Sequence, residues 1–463
     1  MSRYALFWRG DVTPASFDRF ERRIETLVRS LGRLIIQHAL SKLESDERPG
    51  GFRFDNASFR VNRKTLQTLH TRLGTIRFER WYFQTSDAWY HGLAPLDVRL
   101  GVVDVRRGFT SGRLSPALAD AVGRLAAEMP QQAAIEQIAE RFDVKMSVDA
   151  YRRNVDNIHR LTSEHSDEQA IEQLILWTAA ANQSQGERCV LLQLGRDGVH
   201  VPLRPGWKES GCATLSLFDR KGRRLGTIYL GEAPRKDQLF LTRRLDRILK
   251  AYFTRLPCEV PVLRYVTDAG ALPQSYFKNT LAQMKHPVSG EPLSWSWGVD
   301  FFHACEYLTK LGDGLFGSDT NEAHRWAEES RRILRHQDDG VSAVIRRAAQ
   351  QERRHGLKGK RADFDSGLGY LKKYRPHMDY QQRRAAGEPI GSGITEAGCK
   401  VIFNQRFKQS GMRWKRDSMQ AIIDLRATHR SGLWKGVWRK ILFPEHQLPP
   451  INRLLGSKKS LAA

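Results

Sequence analysis

The sequence predicts an α/β fold: a mixed five-stranded sheet with flanking helices, interrupted by a helical insertion and preceded by an α+β N-terminal region. Three observations predict it. From Gly186 onward, apolar runs of strand type alternate with amphipathic stretches in a specific order. Residues 301–386 combine helical periodicity with dense charge. Residues 1–165 mix helical spacing with aromatic-rich alternation.

The elements follow in order. The first fifty residues read as one amphipathic helix, with Phe20, Ile24, Leu27, Leu31, Leu34 and Ile35 at helical spacing. Residues 52–54 and 73–83 alternate and are rich in aromatics, which predicts short strands. A loop with Gly92, Pro95 and Gly101 follows, and the α+β region closes near residue 114. Over 115–165, Leu118, Val122, Leu125 and Ala126 form one helical stripe. A second helix after Pro130 carries Ala134, Ile135, Ile138, Ala139 and Phe142, and a third opens at Ser147. Two helices about a turn at Asp143 outline a helix-turn-helix that would read DNA, and equally a plain three-helix packing unit.

The core occupies 186–300. Residues 189–194 are an apolar strand running out to Asp197 and Gly198. Residues 212–218 and 225–230 flank the turn 219–222 and make a hairpin. A helix over 236–254 places Leu239, Phe240, Leu245, Ile248 and Leu249 on one side. Residues 262–267 form a buried strand ending at Asp268, 271–284 a helix, and 294–297 a short strand. Three strands, helix, strand, helix, strand is the order of an RNase H-like sheet, an order that in its bare form other α/β folds share. The basic insertion 301–386 then interrupts the core, which resumes over 387–440. The tail 441–463 is Pro- and Lys-rich and expected to be flexible.

Charge narrows the partners. Seventy-five Lys and Arg against 51 Asp and Glu leave +24, which points to a polyanion, nucleic acid before anionic membrane, or to a proteome of basic average. No window approaches the roughly 18–20 apolar residues of a spanning helix, and the opening residues are too quickly recharged for a signal segment. The five cysteines lie far apart with no C-x-x-C pair, which argues against a disulfide framework and a Cys-rich zinc site. The expected setting is a reducing cytoplasm, at the nucleoid.

Metal-dependent phosphodiester chemistry needs carboxylates gathered at one point, holding two Mg²⁺ (Mn²⁺ as the alternative) about 3.5–4 Å apart. Asp197 and Asp268 end neighbouring strands in the RNase H-like order and would emerge on one sheet edge. Each alone is also ordinary turn chemistry. The third ligand is Glu396, in the first turns of a helix entered through Gly391, Ser392 and Gly393, with Ser392 or Thr395 as N-cap. Glu388, in a loop, and Glu306, early in the insertion, are rival acids. Asp300 and His303 read as a helix N-cap with a first-turn His.

Residues 389–400, 406–414, 421–427 and 431–434 strongly resemble the C-terminal block of ISKra-type insertion-sequence transposases. The resemblance extends over about 70–440, through Asp197-Gly198, Val266-Thr267-Asp268, Asp300-Phe301-Phe302-His303 and Pro95-Leu96-Asp97. It implies an RNase H-like DDE enzyme with Asp197, Asp268 and Glu396 as catalytic metal ligands, and Asp300 and His303 supporting them. Two departures stand out: Ala269 replaces the glycine usual after the second acid, and residues 81–86 lack the cysteines many members carry.

Lys400, Arg406, Lys408, Arg413, Trp414, Lys415 and Arg416 interleave cations with an aromatic and would grip a DNA end, Trp414 stacking on a frayed base. Phe407 and Met412 read as core. The expectation is a transposase that hydrolyses element ends at their inverted repeats and joins the 3′-OH groups to target DNA, as a homodimer or larger assembly. The alternatives are a non-catalytic DNA-binding regulator or domesticated transposase, and an RNase H-like structure-specific nuclease.

Overall fold

A computed structural model describes residues 13–443, except 45, 55–56, 87–91, 102, 105–108 and 111–112. The expected tail lies outside the described residues from 444 onward. The chain divides into two compact units, Met1–Thr162 with Trp438–Ala463, and Ser163–Val437.

In the first unit, helix α1 (Pro14–Lys42) starts at a capping box in which Thr13 Oγ1 accepts from Ser16 N and Ser16 Oγ from Thr13 N. The helix forms as its periodicity predicts, but its stripe is not core: Leu27, Leu31, Leu34 and Ile35 are exposed and Leu40 is buried. Strands β1 (Phe52–Phe54), β2 (Ala57–Thr71) and β3 (Gly74–Gln84) form an antiparallel sheet. Leu40 packs with Leu69, Ile76, Phe78 and Leu96. The short helix α2 (Pro95–Arg99) brings Asp97 under β3, where Arg80 donates to it from Nε at 3.1 Å and Nη2 at 3.0 Å. Both side chains are buried, so the acid of the Pro-Leu-Asp motif is a structural ion partner. After the short pair β4 (Val103–Asp104) and β5 (Phe109–Thr110) come α3 (Pro116–Glu128), α4 (Gln131–Phe142) and α5 (Val148–Gln183).

The sequence closes this helical region at residue 165, yet α5 runs to Gln183. Ala170, Ile171, Leu174 and Ala181 stay buried along it, and neither Gly nor Pro interrupts it before Gly186.

The second unit is built on the five-stranded mixed sheet: β6 (Leu191–Pro202), β7 (Trp207–Phe218), β8 (Arg224–Glu232), β9 (Val262–Thr267) and β10 (Trp295–Val299), in spatial order β10-β9-β6-β7-β8. The pairs β6–β7 and β7–β8 are antiparallel; β6–β9 and β9–β10 are parallel. The parallel connections run through α6 (Leu239–Arg255) and α7 (Ala271–Asn279). One face is covered by α6, where Arg196 reaches Thr242 and Gln238. The helices 301–386 are α8 (Phe301–Phe316), α9 (Asn321–His336), α10 (Gly340–His355), α11 (Arg361–Tyr374) and α12 (Tyr380–Ala385). On the opposite sheet face lie α13 (Gly393–Gly398), a π-helical stretch Cys399–Asn404, and α14 (Arg416–Arg430); α15 (Trp434–Leu442) ends the described chain.

Candidate active site

Strand β6 is longer than the sequence suggests. Asp197 is not at its end, because the antiparallel hairpin with β7 carries β6 on to Pro202. What ends near Asp197 is the parallel ladder with β9, whose last pair is Gly195↔Val266. The register of that ladder, continued two residues, sets Asp197 level with Asp268. Adjacent strands lie about 4.8 Å apart, and the charge of Asp268 acts on the Asp197 carboxyl, so the two acids are neighbours at the end of the parallel ladder.

The third acid is brought in by close backbone contact. Gly195 lies against α13, where a Cβ would fall 1.9 Å from Thr395 Oγ1, and Gly398 approaches Thr214 and Cys212. The Thr395 and Thr214 hydroxyls share a 2.8 Å hydrogen bond. Thr395 is therefore the buried knob of α13, and Glu396, next in sequence, is exposed. Ser392 occupies the N-cap position without a side-chain capping bond. Its hydroxyl donates instead to Glu396 Oε1 at 3.0 Å.

Asp300 holds this entry loop. It is 1 % exposed and caps α8 by accepting from His303 N at 2.7 Å. Its other oxygen accepts from Ser392 N. A continuous chain thus runs from Asp300 through Ser392 to Glu396. Phe301 N donates to Ile390 O at 3.0 Å and Asp300 N to Thr267 O at 2.8 Å, tying the same loop to the β9 end. His303 faces Glu306, Nδ1 to Oε2 3.3 Å. The rival Glu388 is engaged by Arg264 at 2.5 and 2.7 Å, and Glu306 is exposed beside His303.

The Asp268 turn is fixed from the insertion. Tyr370 donates to Asp268 O at 3.3 Å and Tyr374 to Ala269 O at 3.1 Å. Ala269 takes φ +67°, the left-handed conformation that glycine adopts freely and other residues seldom do. An open cleft of about 360 Å³ lies beside Asp268, lined by His303, Tyr307, Tyr370 and Lys373 among others. The tyrosines at 370 and 374, which hold the Asp268 turn, and the glycine at 195, which seats α13, are positions that sequence reasoning passes over. An i, i+4 tyrosine pair in a charged segment and a glycine within an apolar strand are the available signals.

Charge connects the three acids. Asp197's carboxyl is pushed above its usual range first by burial, then by negative Asp268 and, more weakly, Glu396; Gly198 N–H and Cys399 Sγ–H oppose this. These donors lie at 2.7 and 3.4 Å. The Cys399 thiol is itself held protonated, raised first by its hydrogen bond with Cys212 and then by burial. The donor set is all carboxylate oxygen, which suits Mg²⁺ or Mn²⁺. Among the described residues, no three His, Cys, Asp or Glu side chains are gathered as they would be around a metal ion. Each carboxylate is turned to a neighbour instead: Asp197 to Gly198 and Cys399, Asp268 to Gly270, Glu396 to Ser392. The fit to such ions is therefore one of donor type and mutual repulsion.

The cationic cluster divides. Lys400, Lys408, Arg413, Lys415 and Arg416 are exposed. Arg406 is 2 % exposed, with its guanidinium 5.2 Å from the Trp414 ring, so it leaves the surface set read from the sequence. Trp414 is half-buried, edge-on to Phe407 at 4.9 Å, and its backbone pairs with β6: Trp414 N to Pro202 O at 3.2 Å, Arg204 N to Trp414 O at 3.1 Å. Its ring closes the core instead of standing free to stack on a base. Phe407 is buried, as its pattern suggests, while Met412 is only partly so.

No helix among the described residues is long and apolar enough to cross a membrane. Comparison with protein-family models returned no match, and comparison with curated proteins returned none.

Proposed function

We propose that this chain is a DNA transposase that cuts element ends and transfers the freed 3′-OH strands to target DNA. The carrying observation is that the charge of Asp268 acts on Asp197 just past the last β6–β9 pair, Gly195↔Val266, where Gly195 also seats the Glu396 helix. The strand order β10-β9-β6-β7-β8, with three antiparallel strands followed by two parallel ones, supports an RNase H-like core. The net charge of +24 supports DNA as the polymer.

In this reading Asp197, Asp268 and Glu396 hold two Mg²⁺ ions, with Mn²⁺ as substitute. Divalent cations there supply activation of the attacking oxygen and stabilisation of the leaving one. Asp300 and Ser392 orient Glu396, and Tyr370 and Tyr374 hold the Asp268 turn. The exposed cations over 400–416 bind the DNA backbone, and α3 and α4 with the start of α5 are candidates for reading the terminal repeats. Joining two ends calls for at least a dimer on DNA.

The test is cleavage and strand transfer on the element's end DNA with Mg²⁺. Asp197→Ala, Asp268→Ala and Glu396→Ala should each lose activity by roughly a hundredfold or more while still binding DNA. Any one of them cutting at the wild-type rate removes that residue from the site. Cleavage of branched DNA without strand transfer would instead favour a structure-specific nuclease, and binding without cleavage a regulator.

A further inference from the structure

The tip of the β6–β7 hairpin carries Trp207, which is 59 % exposed. A tryptophan left in water at a hairpin tip contributes little to the fold, and its neighbours are cationic. Lys408 Nζ lies 6.0 Å from its ring centroid. Arg204 and Lys208 flank it in sequence and are exposed. Trp207 pairs with Pro202, whose carbonyl also receives Trp414 N, so the segment bearing Arg413 and Lys415 runs along the other side of the same strand end. None of Arg204, Lys208, Lys408, Arg413 and Lys415 forms an ion pair among the described residues. Glu209, two residues on, accepts from Gln238 Nε2 at 3.0 Å.

We infer that this tip is a nucleic-acid contact in which Trp207 stacks on an unpaired base and the surrounding cations take the adjoining phosphates. Aromatic faces accept any base, and a ring of unpaired cations supplies the backbone attraction. The position relative to the acids is set by β6. Five residue steps lead from Asp197 to Pro202, roughly 17 Å of strand. That equals about five nucleotides of one DNA strand. The tip would then hold DNA a few nucleotides from the scissile phosphate, close enough to keep an opened end from re-pairing. The inference rests on the DNA reading for its polymer, but it is tested by binding alone.

The experiment compares the full chain on two duplexes of one sequence, blunt and with a short single-stranded fork at one end, across a salt series. Wild type should prefer the fork. Trp207→Ala should weaken fork binding roughly 5- to 100-fold, leave blunt binding nearly unchanged, and keep the salt slope. Trp207→Phe should restore most of the preference. Lys408→Ala with Arg413→Ala should weaken both duplexes and lower the salt slope by roughly 0.9 for each phosphate no longer neutralised. An unaltered thermal midpoint confirms that these exposed substitutions leave the fold intact. Equal binding of fork and blunt DNA by wild type, or wild-type fork affinity in Trp207→Ala, overturns the inference and leaves the cleavage assay on the three acids untouched. Loss of cleavage in the acid variants has no bearing on it.

Discussion

At the residue scale, Asp197 records the cost of the site. Its pKa is raised above the usual 3.8 by burial and by the neighbouring acids. An acid whose folded-state pKa exceeds its unfolded value weakens the fold once ionised, and the penalty is relieved as pH falls through the raised value. Asp197→Asn should therefore unfold at a higher temperature than wild type at neutral pH, the gain shrinking on acidification. A thermal series in which the variant is never the more stable removes that electrostatic account. Ala269 offers a second case. Ala269→Gly frees a left-handed position and should stabilise by about 0.5–1 kcal/mol, partly offset by the missing methyl; denaturant midpoints measure it. Asp268 and Glu396 stand where the sequence puts them, after a strand end and at a helix start, whereas Asp197 lies inside β6. The Ser392 hydroxyl on Glu396 and the burial of Arg406 were not legible, because each depends on how helix and loop meet in space.

At the element scale, the seat of α13 on β6 is the sharpest constraint. Gly195→Ala would place a methyl 1.9 Å from Thr395 Oγ1, and should cost about 1–3 kcal/mol and lower cleavage through displaced Glu396. Adding Thr395→Ala removes the clashing oxygen and should return part of the loss, a coupling that a double-mutant cycle reads directly. If the single variant cuts and unfolds like wild type, α13 is not seated by this contact. The order of strands and helices over 186–300 followed from hydrophobic period, since each element has one face to bury, whereas β2 and the division of 301–386 into five helices did not. The lengths did not: β6 extends because β7 pairs with it, and α5 continues because buried positions recur beyond the predicted end. The α1 stripe failed differently. Periodicity announced the helix, but it cannot say whether anything covers its apolar side.

At the scale of the whole molecule, charge and insertion both act on the site. Lowering salt should tighten DNA binding steeply, each neutralised phosphate contributing roughly 0.9 to the slope of log affinity against log salt. Millimolar Mg²⁺ should raise the thermal midpoint of wild type, by an amount equivalent to about 2.7 kcal/mol at a hundred times the dissociation constant. It should do so far less in Asp268→Asn, and equal stabilisation of the two proteins would place the ions elsewhere. The insertion, which the sequence marks as helical and charged, carries two hydroxyls that fasten the second acid's turn. Tyr374→Phe should cost about 1 kcal/mol and reduce turnover more than DNA affinity.

The shared level of β6 and β9 carries a further consequence for how such a chain can vary. Side chains alternate across a sheet, so one residue inserted between Leu191 and Asp197 would turn the first acid toward α6, and the opposite pole of the sheet would inherit it. Two inserted residues would recover the orientation yet slide the carboxylate about 6.6 Å past its companion. Length in this short stretch is thus quantised by parity and by step, and drift that surface loops absorb readily would here part the two acids at once.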